Sequence, residues 1–246
     1  METFIPHLVE LRARLIRCMI AFLVVFGAFC VFPGCGAVYD LLASPLTSTM
    51  PEGSKMIAVG VITPFMVPLK VTAFAAFLVA LPVFMWQAWG FVAPALFERE
   101  KKLLLPLTVS AFGLFIGGMA FCHFFVFGQV FRFIAEFAPK SVQASPDIES
   151  YLSFVTSMYL AFGAAFEVPV AVVLLARFGV VTVEKLREWR GYFVVAAFVI
   201  AAILTPPDVM SQLSLAIPMC LLYELGIIAA RLVCRPASPE TSETVV

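Results

Sequence analysis

Long apolar runs constrain this sequence more than any other feature. Six runs approach or exceed the length needed to cross a hydrocarbon layer about 30 Å thick. They are residues 15–33, 71–92, 106–128, 154–176, 191–205 and 212–230. Of the 246 residues, 62% are hydrophobic and 13% are charged, which is more apolar surface than one soluble core can bury. The sequence therefore predicts an all-α integral membrane protein with six transmembrane helices.

The first run also has features of a secretory signal peptide. Arg12, Arg14 and Arg17 lie at or just before its start, and it ends in FPGC at 32–35, as in some cleaved leaders. Pro33 is unfavourable in such a cleavage site, and no soluble domain follows for export. We therefore expect this run to stay in the protein as the first span.

Basic residues are spread unevenly over the connecting segments. With six spans, the N-terminus, the loops at 93–105 and 177–190 and the C-terminal tail share one side of the membrane. Twelve of the sixteen Lys and Arg residues lie there, and the positive-inside rule places that side in the cytoplasm. We predict one transmembrane domain over residues 1–235, with both termini cytoplasmic, and a disordered tail at 236–246. The zero net charge argues against nucleic-acid binding.

The outer connections and the prolines suggest the shape of the bundle. The connection at 34–70 is long and contains YDLLASPL, which includes Pro45 and is predicted to form a short interfacial helix. TPPDVMS at 205–211 is predicted to be a tight turn. Prolines within three spans favour bent helices and a curved wall; they are Pro82, Pro169 and Pro218. The fifth run is unusually short, so the bilayer is expected to thin beside it.

Glu167 stands in the middle of the fourth apolar run. A charged carboxyl there costs about 2.5 kcal/mol or more, so Glu167 is expected to be protonated, hydrated or paired. Pro169 cannot donate to the carbonyl of Ala165, and small or polar residues from Ser153 to Glu167 share one helix face. The glutamate is either a functional polar site or a neutral group that holds helices together, with Gln87 or a serine as its partner.

Two segments on the cytoplasmic side carry further carboxylates. HLVELRARL at 7–15 is typical of an interfacial helix start, and Glu10 there is expected to form an ordinary ion pair with Arg14. In FVAPALFEREKKLLLP at 91–106, Glu98 has lysines at i+3 and i+4, whereas Glu100 has leucines. Such a carboxylate suits a guanidinium from another chain, because their pairing is strongest where water is partly excluded. The alternative is a membrane-surface glutamate without a role.

Other chemistry has little support in the sequence. The six cysteines show no metal-ligand spacing, and only Cys30 and Cys35, near one membrane face, are placed to pair with each other. We find no phosphate loop, no nucleophile motif and no convincing pair of catalytic carboxylates. We therefore expect no metal, no cofactor and no enzymatic activity.

Several stretches together resemble the TatC family, the multispanning receptor subunit of the twin-arginine protein translocase. They are HLVELRARL, PLKVTAFAAFLVALPVF, FVAPALFEREKK, SYLSFV, FGAAFEVPV and LTPPDVMSQLSLAIPM, and they occur in the family's order over residues 7–224. The resemblance implies a glove-like bundle of six helices in the inner membrane of a prokaryote. It also implies that the chain binds the twin-arginine signal peptides of folded export substrates, and that their export is driven by the proton gradient without nucleotide.

The resemblance implies roles for particular residues. The signal-binding surface corresponds here to Glu10, Arg12, Phe91, Pro94, Leu96 and Glu100. The buried glutamate matches Glu167, the outer-turn aspartate matches Asp208, and single-span TatB and TatA subunits would dock around Thr205 and Gln212. We also expect Pro45 to be functional in the outer loop, membrane lipid to be a partner, and the chain to self-associate in a larger receptor complex.

Two other functions compete with this one. A proton-coupled secondary transporter of a small solute would use Glu167 as its ion site, because an acid beside a broken helix suits that chemistry. A passive scaffold for single-span helices would share the partner surface and would tolerate charge reversal at Glu100. The absence of a visible internal repeat and the loop carboxylate favour the receptor.

Overall fold

The protein is almost entirely helical over the residues that its computed structural model describes, 4–47, 56–92, 104–137, 147–205 and 208–233. In these ranges there is no β-strand, and one isolated bridge joins Ile57 to Asp147. The helices are α1 (Phe4–Val31), α2 (Cys35–Thr47), α3 (Thr63–Val92), α4 (Leu104–Phe121), α5 (Phe127–Phe137), α6 (Ile148–Phe166), α7 (Val168–Arg177), α8 (Val183–Glu188), α9 (Arg190–Leu204) and α10 (Val209–Val233). A π turn at Cys122–Val126 joins α4 to α5.

Five helical segments within these ranges are long and apolar enough to cross a membrane. They are Leu8–Val31, Thr63–Phe91, Leu105–Phe133, Ile148–Arg177 and Val209–Val233. The prediction of an all-α membrane protein is confirmed, and these segments correspond to five of the six predicted spans. The remaining run forms α9, which has only 15 residues, or about 22 Å of helix. It is shorter than the hydrocarbon layer that it was predicted to cross.

The helices extend beyond the apolar runs. The first begins at Phe4 rather than at residue 15, because HLVELRARL continues into the span without a break. α3 begins at Thr63, eight residues before the apolar run, and its first turns pack Val67 and Val71 against Leu152 of α6. This packing stabilises a helical segment that hydropathy alone does not mark. The predicted short helix at YDLLASPL is confirmed within α2.

The prolines act differently in different helices. Pro82 lies inside α3 and Pro218 inside α10, and both helices continue through them. Pro169 instead lies in the first turn of α7, directly after the break at Glu167 that separates α6 from α7, and its missing N–H removes one bond of the α-helical ladder there. The backbone N–H of Glu167 bonds to the carbonyl of Ala164 at 3.1 Å, so the last turn of α6 tightens just before the break.

Neighbouring helices pack in a chain of pairs. α1, α2 and α4 pack on α3, α6 packs on α4, α7 packs on α10, and α9 packs on α10. The largest fully buried side chains include Phe127, Met158, Phe162 and Leu215. The most apolar part of α1 is not buried within the chain, which lipid permits because its tails are as apolar as the side chains.

Candidate functional site

Glu10, Arg14 and Gln87 form a polar cluster where α1 meets the end of α3, here called the α1–α3 cluster. Arg14 Nη2 and Nε donate to Glu10 Oε1 at 2.6 and 3.2 Å. Arg14 Nη1 lies 3.4 Å from both the backbone oxygen and the Oε1 atom of Gln87. The predicted ion pair is therefore confirmed. It differs from an ordinary surface pair, because Arg14 is only 19% exposed.

The end of α3 is shaped around the Arg14 guanidinium. Gln87 and Gly90 are three residues apart and so lie on one face of α3. A Cβ on Gly90 would overlap Arg14 Nη1, so the absence of a side chain there leaves room for the guanidinium. The sequence indicated Arg14 only as the partner of Glu10, and its long-range contact with α3 had no signal in the local pattern.

The α1–α3 cluster has spare capacity for a second guanidinium. Both bonds from Arg14 go to Oε1 of Glu10, whereas a carboxylate offers about four lone-pair sites on its two oxygens. The Glu10 side chain is 37% exposed, so a ligand can approach it. Arg12 is exposed on the same helix, and Phe91 is half-buried at the end of α3.

Three predicted site residues lie outside the described residues. They are Pro94, Leu96 and Glu100, in the loop between α3 and α4. α3 ends at Val92, two residues beyond Gly90 at the α1–α3 cluster.

Glu167 occupies the break between α6 and α7 and is half-buried. Its Oε1 atom is buried, and no other described residue provides it with a hydrogen bond. The partner suggested by the sequence, Gln87, instead contacts Arg14. Ser157 and Ala164 are exposed on the same side of α6, so small and polar groups lead along the helix surface to the glutamate.

The turn between α9 and α10 collects further polar groups. Thr205 Oγ1 donates to the carbonyl of Ala201 at 2.8 Å, and Gln212 Nε2 donates to the carbonyl of Phe198 at 3.2 Å. Asp208 Oδ1 accepts from the backbone N–H of Ser211 at 2.7 Å and so caps α10. The structure thus places the three predicted residues of this region, Thr205, Asp208 and Gln212, at one corner.

Sequence reasoning missed Ser211 at this corner. The residue is fully buried, and within the described part of the chain its hydroxyl has no hydrogen-bond partner. Nothing in the local pattern DVMSQ at 208–212 indicates that this serine is buried. The Ser211 hydroxyl is therefore a buried polar group without a described hydrogen-bond partner, directly before Gln212 in the chain.

Two more ion pairs connect separate helices. Arg190 Nη2 lies 2.5 Å from Glu224 Oε2, which joins the start of α9 to α10. Lys70 Nζ lies 2.6 Å from Glu149 Oε1, which joins α3 to the start of α6. Both pairs are substantially exposed, so each contributes little stability.

Asp147 begins α6 on the side of the molecule that also carries α2. Its Oδ2 atom accepts from the backbone N–H and the hydroxyl of Ser150, at 3.0 and 2.9 Å. These hydrogen bonds favour the charged form and lower the pKa of Asp147 below its ordinary value.

The remaining predictions concern metals and Pro45. The described residues contain no group of three or more His, Cys, Asp or Glu side chains able to hold a metal ion. The backbone of Pro45 lies within α2, while its side chain falls outside the described part of the structure.

Comparison with known proteins gives one consistent result. Residues 6–218 match the family model for TatC, the Sec-independent protein translocase protein. Sec-independent protein translocase proteins TatC from Haemophilus influenzae and from Escherichia coli K12 are 48% and 47% identical to this chain over 230 residues. The alignments cover 94% of the chain and 89% and 88% of those proteins. A crystal structure described as the twin arginine translocase receptor TatC aligns with a TM-score of 0.77 and 38% identity, over 92% of this chain and 98% of that one.

Proposed function

Since this chain belongs to the TatC family of Sec-independent protein translocase proteins, we propose that it is the signal-peptide receptor and core subunit of a twin-arginine translocase. In this function it binds the signal peptides of folded proteins and takes part in their export across the cytoplasmic membrane, driven by the proton gradient. The observation that carries the proposal is the α1–α3 cluster, where Glu10 already binds a guanidinium. Family membership makes the chain a transport component rather than an enzyme, and it favours export over the small-solute transporter alternative.

The α1–α3 cluster supports the recognition of arginine. Glu10 holds Arg14 through two donors on one oxygen, which demonstrates that the site accommodates a planar guanidinium. An arginine of the signal peptide binds the free lone pairs of Glu10, and the second arginine binds Glu100 in the adjoining loop. Arg12, Phe91, Pro94 and Leu96 complete this surface. A charge-assisted hydrogen bond of this kind contributes about 1.5–3 kcal/mol.

Glu167 is proposed to meet a polar group of an inserted signal peptide or partner helix. Its buried Oε1 atom has no hydrogen bond within the described part of the chain, and a polar atom left unsatisfied in hydrocarbon is costly. The exposed small residues on the same side of α6 allow a second helix to approach closely. Glu167 as a residue is only half-buried, so an incoming helix can contact its side chain and supply a hydrogen-bond donor.

The α9–α10 corner is proposed to dock the single-span TatA and TatB subunits. Gln212, which is only partly buried, gives a partner helix a polar anchor, and Thr205 and Asp208 shape the turn around it. α9 is too short to cross a full bilayer, so the membrane beside it is thinned. Self-association of the chain, with lipid between copies, builds the larger receptor complex.

The proposed topology places both termini in the cytoplasm, with α9 as a short sixth span in a curved, glove-like bundle of the prokaryotic inner membrane. The charge distribution supports this orientation, because twelve of the sixteen basic residues fall on the proposed inner side. It brings the α1–α3 cluster to the cytoplasmic face, where signal peptides arrive. The tail at 236–246, which the sequence predicts to be disordered, lies outside the described residues.

The test is photo-crosslinking of a twin-arginine signal peptide to membranes that contain the chain. The probe sits next to the arginine pair, and the variants are Glu10→Gln and Glu100→Gln. Glu149→Gln is the matched control, because that carboxylate lies at the other end of the bundle and pairs with Lys70. We expect the crosslink to fall about tenfold or more in the first two variants and to persist in the control. An undiminished crosslink in both variants, or equal labelling by a signal with two lysines, would refute the proposal.

A second experiment tests Glu167. Single-cysteine probes at Ala164 and Ser157 report crosslinking to a single-span partner carrying its own cysteine. We expect Glu167→Ala to reduce the crosslink, and Glu167→Gln, which keeps hydrogen-bonding atoms, to retain most of it. Equal crosslinking in wild type and Glu167→Ala would show that the glutamate meets no partner.

A further inference from the structure

The junction between α1 and α2 brings two cysteine sulfurs together. Cys30 Sγ and Cys35 Sγ are 3.8 Å apart, although they belong to different helices. Cys30 is exposed and Cys35 is partly exposed, so both can be reached from the surrounding medium. We infer that Cys30 and Cys35 form an intramolecular disulfide that fastens the start of α2 to the end of α1.

The backbone holds this junction in a defined shape. The N–H of Phe32 bonds to the carbonyl of Ala28 at 2.8 Å, and the N–H of Gly34 bonds to the carbonyl of Phe29 at 3.1 Å. Gly34 has φ 94°, the left-handed conformation that ends helices and favours glycine. α2 then begins directly at Cys35. The two thiols are therefore neighbours because of a fixed corner, and a disulfide needs only a further approach of about 2 Å between the sulfurs.

The compartment follows from the proposed topology, on which this inference rests. With the N-terminus in the cytoplasm, α1 ends on the outer side of the membrane, where disulfides form and persist. The reaction removes two protons and two electrons from the two thiols. A dithiol–disulfide exchange protein of the outer compartment, or a small-molecule disulfide, accepts them and is reduced to thiols. The more exposed Cys30 attacks the oxidant first, and Cys35 then displaces it from the mixed disulfide.

The bridge acts on a helix that shapes the outer half of the bundle. Ala43 of α2 is buried in the main hydrophobic core, and Tyr39 and Leu42 pack against it. α2 also lines a largely apolar groove of about 430 Å³ with α3 and α4. Fastening Cys35 to Cys30 restricts the swing of α2 away from this core, so it fixes the outer cap with respect to α1.

The test counts free thiols in membranes from cells that express the full chain. Samples are quenched with acid, denatured, and labelled with a maleimide polymer before and after reduction. We expect two additional labels after reduction in the wild type, and none in Cys30→Ser or in Cys35→Ser. Cys18→Ser is the matched control, since Cys18 lies within the first span, and it is expected to keep the two-label gain.

Three results would contradict the inference of a disulfide. If wild type gains no label on reduction, or if either single variant still gains two, the disulfide does not exist. A reducible dimer on a non-reducing gel, without an intramolecular bridge, would also overturn the inference. Signal-peptide crosslinking is measured in the same membranes. Free thiols with an intact crosslink contradict only the disulfide, whereas loss of the arginine-dependent crosslink contradicts the proposed receptor function itself.

Discussion

Replacing Gly118 by alanine tests how closely α4 approaches α6. A Cβ at this position would overlap the carbonyl oxygen of Phe162, and it would lie 2.9 Å from Phe166 Cγ and 3.0 Å from the carbonyl carbon of Phe162. Real Cβ atoms essentially never come so close to other heavy atoms, and two of these three atoms are backbone. The α6 helix, which ends just before Glu167, must therefore shift.

The adjacent Gly117 provides the matched control. A Cβ there meets nothing within 4 Å, and both glycines lie inside α4. The gain in helix propensity on changing Gly to Ala, about 0.5–1 kcal/mol, is common to both variants and cancels in their difference. What remains is the overpacking cost of one added methyl group, about 1–3 kcal/mol. The expected ranking is therefore Gly117→Ala at or above wild type, and Gly118→Ala below Gly117→Ala by that amount.

The assay is thermal unfolding of the detergent-solubilised chain, followed by the loss of the folded species on size-exclusion chromatography. For a chain of this size, each kcal/mol shifts the apparent Tm by about 2–4 °C. Gly118→Ala is also expected to reduce crosslinking from Ala164 to a partner helix, because α6 moves with Phe162. Equal apparent Tm values for the two variants would show that α4 and α6 are not in close contact at Gly118.

Three further substitutions have defined outcomes. Hydrogen bonds to Ser150 lower the pKa of Asp147. Its cap therefore stabilises α6 fully when the pH is above the ordinary pKa of an aspartate, and this stabilisation is lost as the pH falls through the lowered pKa. Asp147→Asn should remove that acid transition from helicity measured by circular dichroism, and an unchanged transition would contradict the cap. Ser211→Ala removes a buried hydroxyl without a described partner, so the apparent Tm should hold or rise, whereas a loss above about 1 kcal/mol would reveal a bonded hydroxyl. Glu149→Gln breaks the exposed ion pair with Lys70. In the same assay the free energy of unfolding should fall by only about 0–1 kcal/mol, and a fall above about 2 kcal/mol would show that the pair contributes more than an exposed pair should.

Some contacts could be predicted because they are local. The pairing of Glu10 with Arg14 depends only on helical spacing. The helix at YDLLASPL likewise follows from its own pattern. For features of this kind, neighbouring residues contain the whole cause.

Other contacts could not be predicted, because they depend on how helices cross. Polarity alone made Gln87 a possible partner for Glu167, but in the structure Gln87 contacts Arg14. Glu224 of α10 pairs with Arg190, which lies on another helix and 34 residues earlier in the chain. A polar residue in a membrane has few possible partners, but the sequence does not indicate which of them lies next to it in the folded protein.

The sequence by itself determined that the chain is an all-α membrane protein, where most spans lie, and that α9 is short. Each segment enters lipid according to its own apolar content, so this information is local. The tertiary structure alone decided that Arg14 packs under Gly90, that Ser211 is buried beside Gln212, and that α3 starts well before its apolar run. These outcomes depend on the rotation and approach of helices whose lipid-facing and helix-facing surfaces are both apolar, so hydropathy cannot distinguish one arrangement from another.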